Sequence, residues 1–371
     1  MSHFRPISRL CCLCILLMCS CERSSDDPET AVAKMESERK QTTPSNPSGP
    51  GPATAPPAKA SVRTTQAART EIALLLPDLR IPMQVFQRDG LTMLVGRQEG
   101  CRLTTHDAAG SATVQADQFR QAITSKPAAI FVSPIDPPSL AALIVEAQTS
   151  GITVIGLDKR MLNEGCSTVV FSDQRRVGRM AAETVLAALK RKATEENRPE
   201  VTGRVVELRG AENSFFSDEI AEGFAAEIHK ESGVILVHDA PADWKGETAA
   251  QRLNEAFRLQ KQFDVVFAHN DAIALGAAKA ATEAGQRDNI LIIGTDGLSG
   301  QKRGMDLVRE GEIDATVVQP ALVDLALQIT IKLRDDKNFK PQPAYEVEPF
   351  AIVPKNVDEV VRSGSYKLPR L

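Results

Sequence analysis

Aromatic side chains are scarce in this 371-residue chain: 13 Phe, 2 Tyr and a single Trp. That scarcity argues against an aromatic-rich β-sandwich and against a surface that stacks nucleic-acid bases. A surplus of basic charge is missing too, with 44 Lys+Arg against 48 Asp+Glu and a net charge of −4, which excludes a strongly basic polyanion binder. No apolar run approaches the about 18 residues that cross a bilayer. Only five histidines are present, so no metal cluster is expected. Seven cysteines occur, but five of them (Cys11, Cys12, Cys14, Cys19 and Cys21) crowd into the leader. Cys101 and Cys166 alone remain for the folded part, which excludes a disulfide framework or a CxxC metal site. What the chain has in quantity is aliphatic residues, within 42% hydrophobic overall, enough for one large or two medium α/β domains.

The N-terminus reads as a secretory signal over residues 1–20. Arg5 and Arg9 precede an apolar core from Leu10 to Met18, the length of a signal h-region and too short to span a membrane. The core ends in Met18-Cys19-Ser20-Cys21, which resembles the bacterial lipobox. Ser20 supplies the small residue before the cysteine, so Cys21 is the expected lipidation site; a plain signal peptide with incidental cysteines is the simpler alternative. Residues 21–69 show no periodicity and carry Pro44, Pro47, Pro50, Pro52, Pro56 and Pro57 among Ser, Gly and Ala. Such a composition cannot bury enough apolar surface to offset its ordering entropy, and a disordered tether is expected.

From Glu71 onward, short apolar runs alternate with amphipathic stretches. Strands are expected at Ile72–Leu76, Arg102–Thr105, Ala129–Val132, Thr153–Leu157 and Thr168–Phe171. After a helix near Val177–Lys192 come Arg204–Leu208, Val234–His238, Val265–Ala268, Ile290–Gly294 and Ala315–Val318. The alternation indicates parallel sheets built from βαβ units. The helix after Asn270 has Asp271 as an expected cap and Gly285 as its stop. The two halves share a plan: Ile72 pairs with Val205, Ala129 with Val265 and Asp158 with Asp296, at offsets of 133, 136 and 138 residues. Ligands of open parallel sheets collect beyond the strands' carboxyl ends. Ser133, Asp158, Lys159, Asn270, Asp296 and Gln319 all follow strands and are therefore candidates.

Four segments carry a family resemblance: Val265-Val-Phe-Ala-His-Asn-Asp-Ala-Ile-Ala-Leu-Gly276, Ile290-Leu-Ile-Ile-Gly-Thr-Asp-Gly297, Ile152-Thr-Val-Ile-Gly-Leu-Asp-Lys159 and Ala315-Thr-Val-Val-Gln-Pro320. In this order and spacing they resemble type 1 periplasmic binding proteins of the ribose-binding kind, over roughly residues 71–355. The resemblance implies an α/β fold of two Rossmann-like lobes with parallel sheets, joined by a three-strand hinge that closes over a small ligand. It implies an N-terminal lobe of 70–173 plus 320–342, a C-terminal lobe of 174–319 plus 343–358, and a tail of 359–371. Asp158 and Asp296 stand where the family places carboxylates, Asn270 and Gln319 where it places amides, and Trp244 at a family aromatic. Planar acids and amides bridge sugar hydroxyls, and an aromatic face covers the C–H side of the ring. Five positions depart. Met83 and Gln84 occupy a first-strand loop that commonly carries aromatics, Lys159 replaces an Arg, Ser133 replaces an Asn, and Asp218 stands near a family Arg. These departures put ribose itself in doubt, and the extra acid favours an amino-bearing or otherwise altered sugar. In the family's strand order 2-1-3-4-5, Cys101 and Cys166 sit at opposite edges of one sheet, roughly 19 Å apart, beyond disulfide reach.

The implied role is an extracytoplasmic lipoprotein that captures a monosaccharide or polyol and delivers it to an ABC transporter permease, with a membrane sensor receptor as the alternative partner. It implies a monomer at the cell envelope, anchored to the membrane by lipid, with no cofactor, no metal and no nucleic acid. Six candidates also have a plainer use: Asp296 as a helix cap, Asn270 as a turn residue, Trp244 as core, Met83 and Gln84 as mere neighbours of the cleft, Asp218 as a helix N-terminal acid. For an enzyme the motifs are thin. No GxSxG, HExxH, P-loop or GxGxxG stands in strand-to-helix context, and Asp158 with Asp296 as a hydrolase pair is the remaining enzymatic alternative.

Overall fold

A computed structural model describes residues 69–260, 262–363 and 368–371. The signal, Cys21 and the tether therefore lie outside the described residues. In chain order the first half runs β1 (Thr70–Leu76), α1 (Pro82–Gly96), β2 (Cys101–Asp107), α2 (Ala112–Ser125), β3 (Ala129–Val132), α3 (Ala141–Thr149), β4 (Thr153–Gly156) and β5 (Thr168–Phe171). The second half runs α4 (Gln174–Glu195), β6 (Gly203–Arg209), α5 (Phe215–Ile228), β7 (Val234–Pro241), α6 (Gly246–Gln260), β8 (Val265–Ala268), α7 (Asp271–Glu283), β9 (Leu291–Asp296), α8 (Gly304–Arg309) and β10 (Ala315–Val318). It closes with α9 (Val323–Asp335), β11 (Ala344–Glu346), β12 (Phe350–Ile352) and α10 (Val357–Ser363).

These strands form two six-stranded sheets, ordered β11-β5-β4-β3-β1-β2 and β12-β10-β9-β8-β6-β7. All pairings are parallel except β12 against β10. Strands β3, β5, β8 and β10 are buried at every position, as continuous aliphatic runs covered on both faces should be. Leu91, Val95, Leu325 and Ile329 from α1 and α9 cover one face of the first sheet, and Phe119, Ile123 and Ile144 from α2 and α3 cover the other. In the second sheet α4 and α5 pack on one face through Val177, Val185 and Phe224, while Leu253, Ile273 and Leu307 pack on the other. Cys101 opens β2 and Cys166 precedes β5, at opposite sides of the first sheet, and both are free thiols.

The chain passes between sheets three times: after β5, after β10, and between β11 and β12. That last passage corrects the expected boundary. Ala344–Glu346 pairs with Val169–Phe171 in the first sheet, so residues 343–346 belong with the N-terminal lobe rather than the C-terminal one. Its three-residue length left no periodicity to read. Nor is the end of the chain only a tail. Val360 packs on the second lobe's core, while Leu368 and Leu371 pack on the first's, where Lys332 Nζ donates to the Leu371 carbonyl at 2.9 Å.

Helix α7 also departs from expectation at its start. Asn270 is the cap, its Oδ1 accepting from Ile273 N at 2.7 Å. Asp271 sits inside the first turn, and its buried carboxylate accepts from Gly297 N at 2.8 Å and Thr316 Oγ1 at 2.6 Å. The helix stops at Gly285, whose φ of +66° suits a residue without Cβ.

Candidate functional site

In both sheets the strand order reverses beside the first strand, between β1 and β3 and between β6 and β8, and polar loops follow the carboxyl ends. Loops from both sheets enclose a cavity of about 480 Å³, within the size range of small-molecule sites. Pro77 follows β1, Ser133 follows β3, Asp158 follows β4 and Ser172 follows β5; Trp244 follows β7, Asp296 ends β9 and Gln319 follows β10.

Of the ten candidates, the cavity is lined by Met83, Gln84, Ser133, Asp158, Lys159, Trp244, Asp296 and Gln319. Asn270 and Asp218 are not in the lining. Asn270 spends its oxygen on the α7 cap, while its Nδ2 lies 3.5 Å from the Trp244 carbonyl oxygen, behind the wall. Asp218 is exposed in the first turn of α5, and one residue further on Glu219 turns inward instead.

Asp158 is almost fully committed within its own lobe. Its Oδ1 accepts from Arg160 N at 2.8 Å, and its Oδ2 accepts from Arg160 Nε at 3.0 Å and Nη2 at 2.6 Å. The same guanidinium donates to the Pro134 carbonyl at 3.0 Å. It lies 5.0 and 5.1 Å from the ring centroids of Phe215 and Phe216 on the second lobe, within cation–π range. Arg160 thus joins the carboxylate of one lobe to the aromatic wall of the other. Lys159 also reaches across, with Nζ 2.9 Å from Asp173 Oδ2 and 3.9 Å from Glu219 Oε1.

On the opposite wall Trp244 stands at φ +58° and lays its indole on Gly210. A Cβ at Gly210 would collide with that ring, so only glycine leaves room for it. Asp296 is 8% exposed and accepts from Gln319 Nε2 at 3.2 Å. Burial and the negative charge of Asp271 hold its carboxyl well above the usual carboxylate range. Glu219 is likewise pushed up by burial, against the opposing pull of Lys159 and Arg175.

The reading from sequence missed Arg160, Phe215, Phe216, Gln87, Ser172, Gln174 and Glu219, all of which line the cavity. Adjacent phenylalanines in an aromatic-poor chain were the available signal for the wall. Nothing local marks the glutamines, because helical position decides where an amide points. Their hydrogen bonding shows their role. Among the described residues, seven buried side-chain polar atoms have no protein partner, and five line this cavity: Gln84 Oε1, Gln87 Oε1, Ser172 Oγ, Gln174 Oε1 and Glu219 Oε2. Buried polar atoms are nearly always paired in folded proteins, so this concentration marks a surface built to hydrogen-bond a guest.

A hydrolase-like trio lies elsewhere. Ser217 Oγ is 3.2 Å from His269 Nδ1, whose Nε2 is 2.8 Å from Glu207 Oε1. All three are buried and none lines the cavity, so the trio ties α5 to the ends of β6 and β8 beneath the site. Among the described residues no group of three or more His, Cys, Asp or Glu is placed to hold a metal ion, and no helix is long and apolar enough to cross a membrane.

Two lobes of mostly parallel sheet flank a cleft at the strands' carboxyl ends, the two-lobed architecture of periplasmic binding proteins. Residues 72–333 match the model of the periplasmic binding protein domain, and the chain belongs to that family, in its type 1, ribose-binding branch. It is 27% identical over 256 residues to the ribose import binding protein of Bacillus subtilis, covering 68% of this chain and 77% of that one. It is 26% identical over 313 residues to the D-xylose-binding periplasmic protein of Haemophilus influenzae, covering 78% and 88%. An ABC transporter periplasmic solute binding protein from Actinobacillus succinogenes with bound D-allose superposes with a TM-score of 0.68 at 22% identity, over 78% of this chain and all of that one. The fructose binding periplasmic domain of a hybrid two component system gives 0.67 at 23% identity, over 80% and 94%.

Proposed function

We propose that this protein is an extracytoplasmic solute receptor that captures a monosaccharide or related polyol between its lobes and hands it to the permease of an ABC importer. The observation that carries the reading is the set of five unpartnered buried polar atoms around one cavity. A polyhydroxylated ring offers many donors and acceptors in a small volume, which is what such a lining requires. Trp244, Phe215 and Phe216, all from the second lobe, supply flat apolar faces for the C–H surfaces of the ring. Relatives that bind ribose and xylose support the ligand class.

Capture works through differential contacts. Asp158, Ser133 and the α1 glutamines belong to one lobe, and Trp244, Glu219 and Asp296 to the other. A ligand touching both favours the closed arrangement over an open one, in which half of its hydrogen bonds are missing. Three interlobe passages form the hinge, and Ser172 and Gln319 lie on two of them. The receptor acts as a monomer held at the membrane by a lipid on Cys21. Likeness to a binding domain from a hybrid two component system supports a second role, presentation of ligand to a membrane sensor.

A thermal-shift screen of sugars and polyols tests the reading. A true ligand binds only the folded state and raises Tm with concentration. A full panel of pentoses, hexoses and cyclitols that leaves Tm unmoved refutes it.

A further inference from the structure

Glu219 is 7% exposed, and its two oxygens have different fates. Oε1 forms ion pairs, 3.2 Å from Arg175 Nε and 3.9 Å from Lys159 Nζ. Oε2 is buried with no protein partner, in a residue that lines the cavity. The surrounding charges do not cancel. Lys159 and Arg175 face three carboxylates, because Lys159 also pairs with Asp173 at 2.9 Å and Arg175 also pairs with Glu222. One negative charge is left over, and the free oxygen of the set is Glu219 Oε2.

The opposite wall repeats the bias. Gln87 donates its Nε2 to the Ala321 carbonyl at 2.9 Å, which fixes its Oε1 as an acceptor, also buried and unpartnered. The cavity's own cations are already engaged, Lys159 by Asp173 and Arg160 by Asp158. Apart from the Ser172 hydroxyl, which can also donate, the uncommitted atoms are acceptors, and one of them belongs to a carboxyl group. A hydroxyl offers one proton to such an oxygen. An ammonium offers up to three and a compensating charge, which a buried carboxylate needs far more than a neutral acceptor does.

We propose that the ligand carries a protonated primary amine, so that the receptor selects an amino sugar or aminocyclitol over its neutral counterpart, with Glu219 Oε2 as the specificity-determining acceptor. This inference rests on the sugar-or-polyol reading and narrows it. The amine hydrogen-bonds to Glu219 Oε2, while ring hydroxyls meet Gln87 Oε1 and Ser172 Oγ.

Matched ligand pairs test it by isothermal calorimetry on the wild-type protein: glucosamine against glucose, galactosamine against galactose, and an aminocyclitol against myo-inositol. N-acetylglucosamine serves as the uncharged control. In pairs that bind, the amine should bind about tenfold tighter or more, the usual gap between charge-assisted and neutral hydrogen bonds. Glu219→Gln should weaken the amine about tenfold more than it weakens the neutral partner, removing most of that advantage. If the neutral member binds as tightly as the amine, or tighter, the inference fails while the sugar-or-polyol reading stands. It fails in the same way if Glu219→Gln weakens both members equally. A panel in which no member binds overturns both. The wild-type comparison decides even if the variant folds poorly.

Discussion

Replacing Asp296 by Asn should stabilise the unliganded protein at neutral pH and leave it nearly unchanged in acid. Asp296 and Asp271 lie buried together, and each is raised above 3.8 mainly by burial, Asp271 to about 7. Asp271 has the better claim on the single negative charge, since it accepts from Gly297 N and Thr316 Oγ1, whereas Asp296 has Gln319 Nε2 at 3.2 Å. Burial and Asp271 therefore favour the protonated form of Asp296 in the folded chain relative to the unfolded one. For a carboxyl whose folded pKa is raised, stability is complete below the unfolded value and is lost as pH climbs through the folded one. For Asp271 that window runs from 3.8 to about 7. A tenfold change in proton affinity corresponds to about 1.4 kcal/mol, so one retained proton is a matter of a few kcal/mol at most. Asparagine keeps the shape and the acceptor for Gln319 while removing a carboxyl whose ionisation burial and the negative charge of Asp271 oppose. A gain of about 1–3 kcal/mol at pH 7, seen as several degrees in Tm, is expected, shrinking towards zero at pH 4. Thermal melts of both proteins at half-unit pH steps measure the difference directly. A difference in Tm that stays constant from pH 4 to pH 7 refutes the shared-proton account.

Three further outcomes are expected. Arg160→Ala removes the partner of buried Asp158 and the stack on Phe215 and Phe216, and should cost about 3–5 kcal/mol in urea unfolding; a loss below about 1 kcal/mol would show that Asp158 finds another partner. Trp244 is the one tryptophan of the chain, so its emission should shift saturably with a ligand confirmed by calorimetry, and Trp244→Ala should weaken binding by about 1–3 kcal/mol; a silent spectrum removes it from the site. Gly223→Ala drives a Cβ into the Arg175 carbonyl oxygen, where helices α4 and α5 touch backbone to backbone, and should lower Tm by forcing them apart; an unchanged melt would contradict that packing.

Much of the fold was legible in the chain. Val265–Ala268, Ala315–Val318 and Thr168–Phe171 could be bounded to the residue, because strands buried on both faces are unbroken aliphatic runs closed by polar residues. Their alternation with helices implied parallel sheets, and parallel sheets put ligand-binding loops at the carboxyl ends, which is how Asp158, Asp296 and Gln319 were found. Strands β11 and β12 escaped notice because three residues carry no period, and β11's sheet is set by a partner over 170 residues away.

The site itself was divided between the two levels. Sequence position specified which loops face the cleft, since that depends on chain direction and strand order alone. It could not specify which side chain of a helical turn enters. Asp218 and Glu219 are neighbours of the same charge, yet a helix rotates about 100° per residue, so one meets solvent and the other the cavity. Asn270 was drawn away by an orphan backbone amide at the start of α7, a demand that exists only once that helix has formed. Arg160 acquired its role because folding brought Phe215 and Phe216 of one lobe over Asp158 of the other. Local pattern governs backbone conformation, where the interactions are short in sequence; the chemistry facing the ligand depends on contacts between segments that only the assembled lobes bring within a few ångströms.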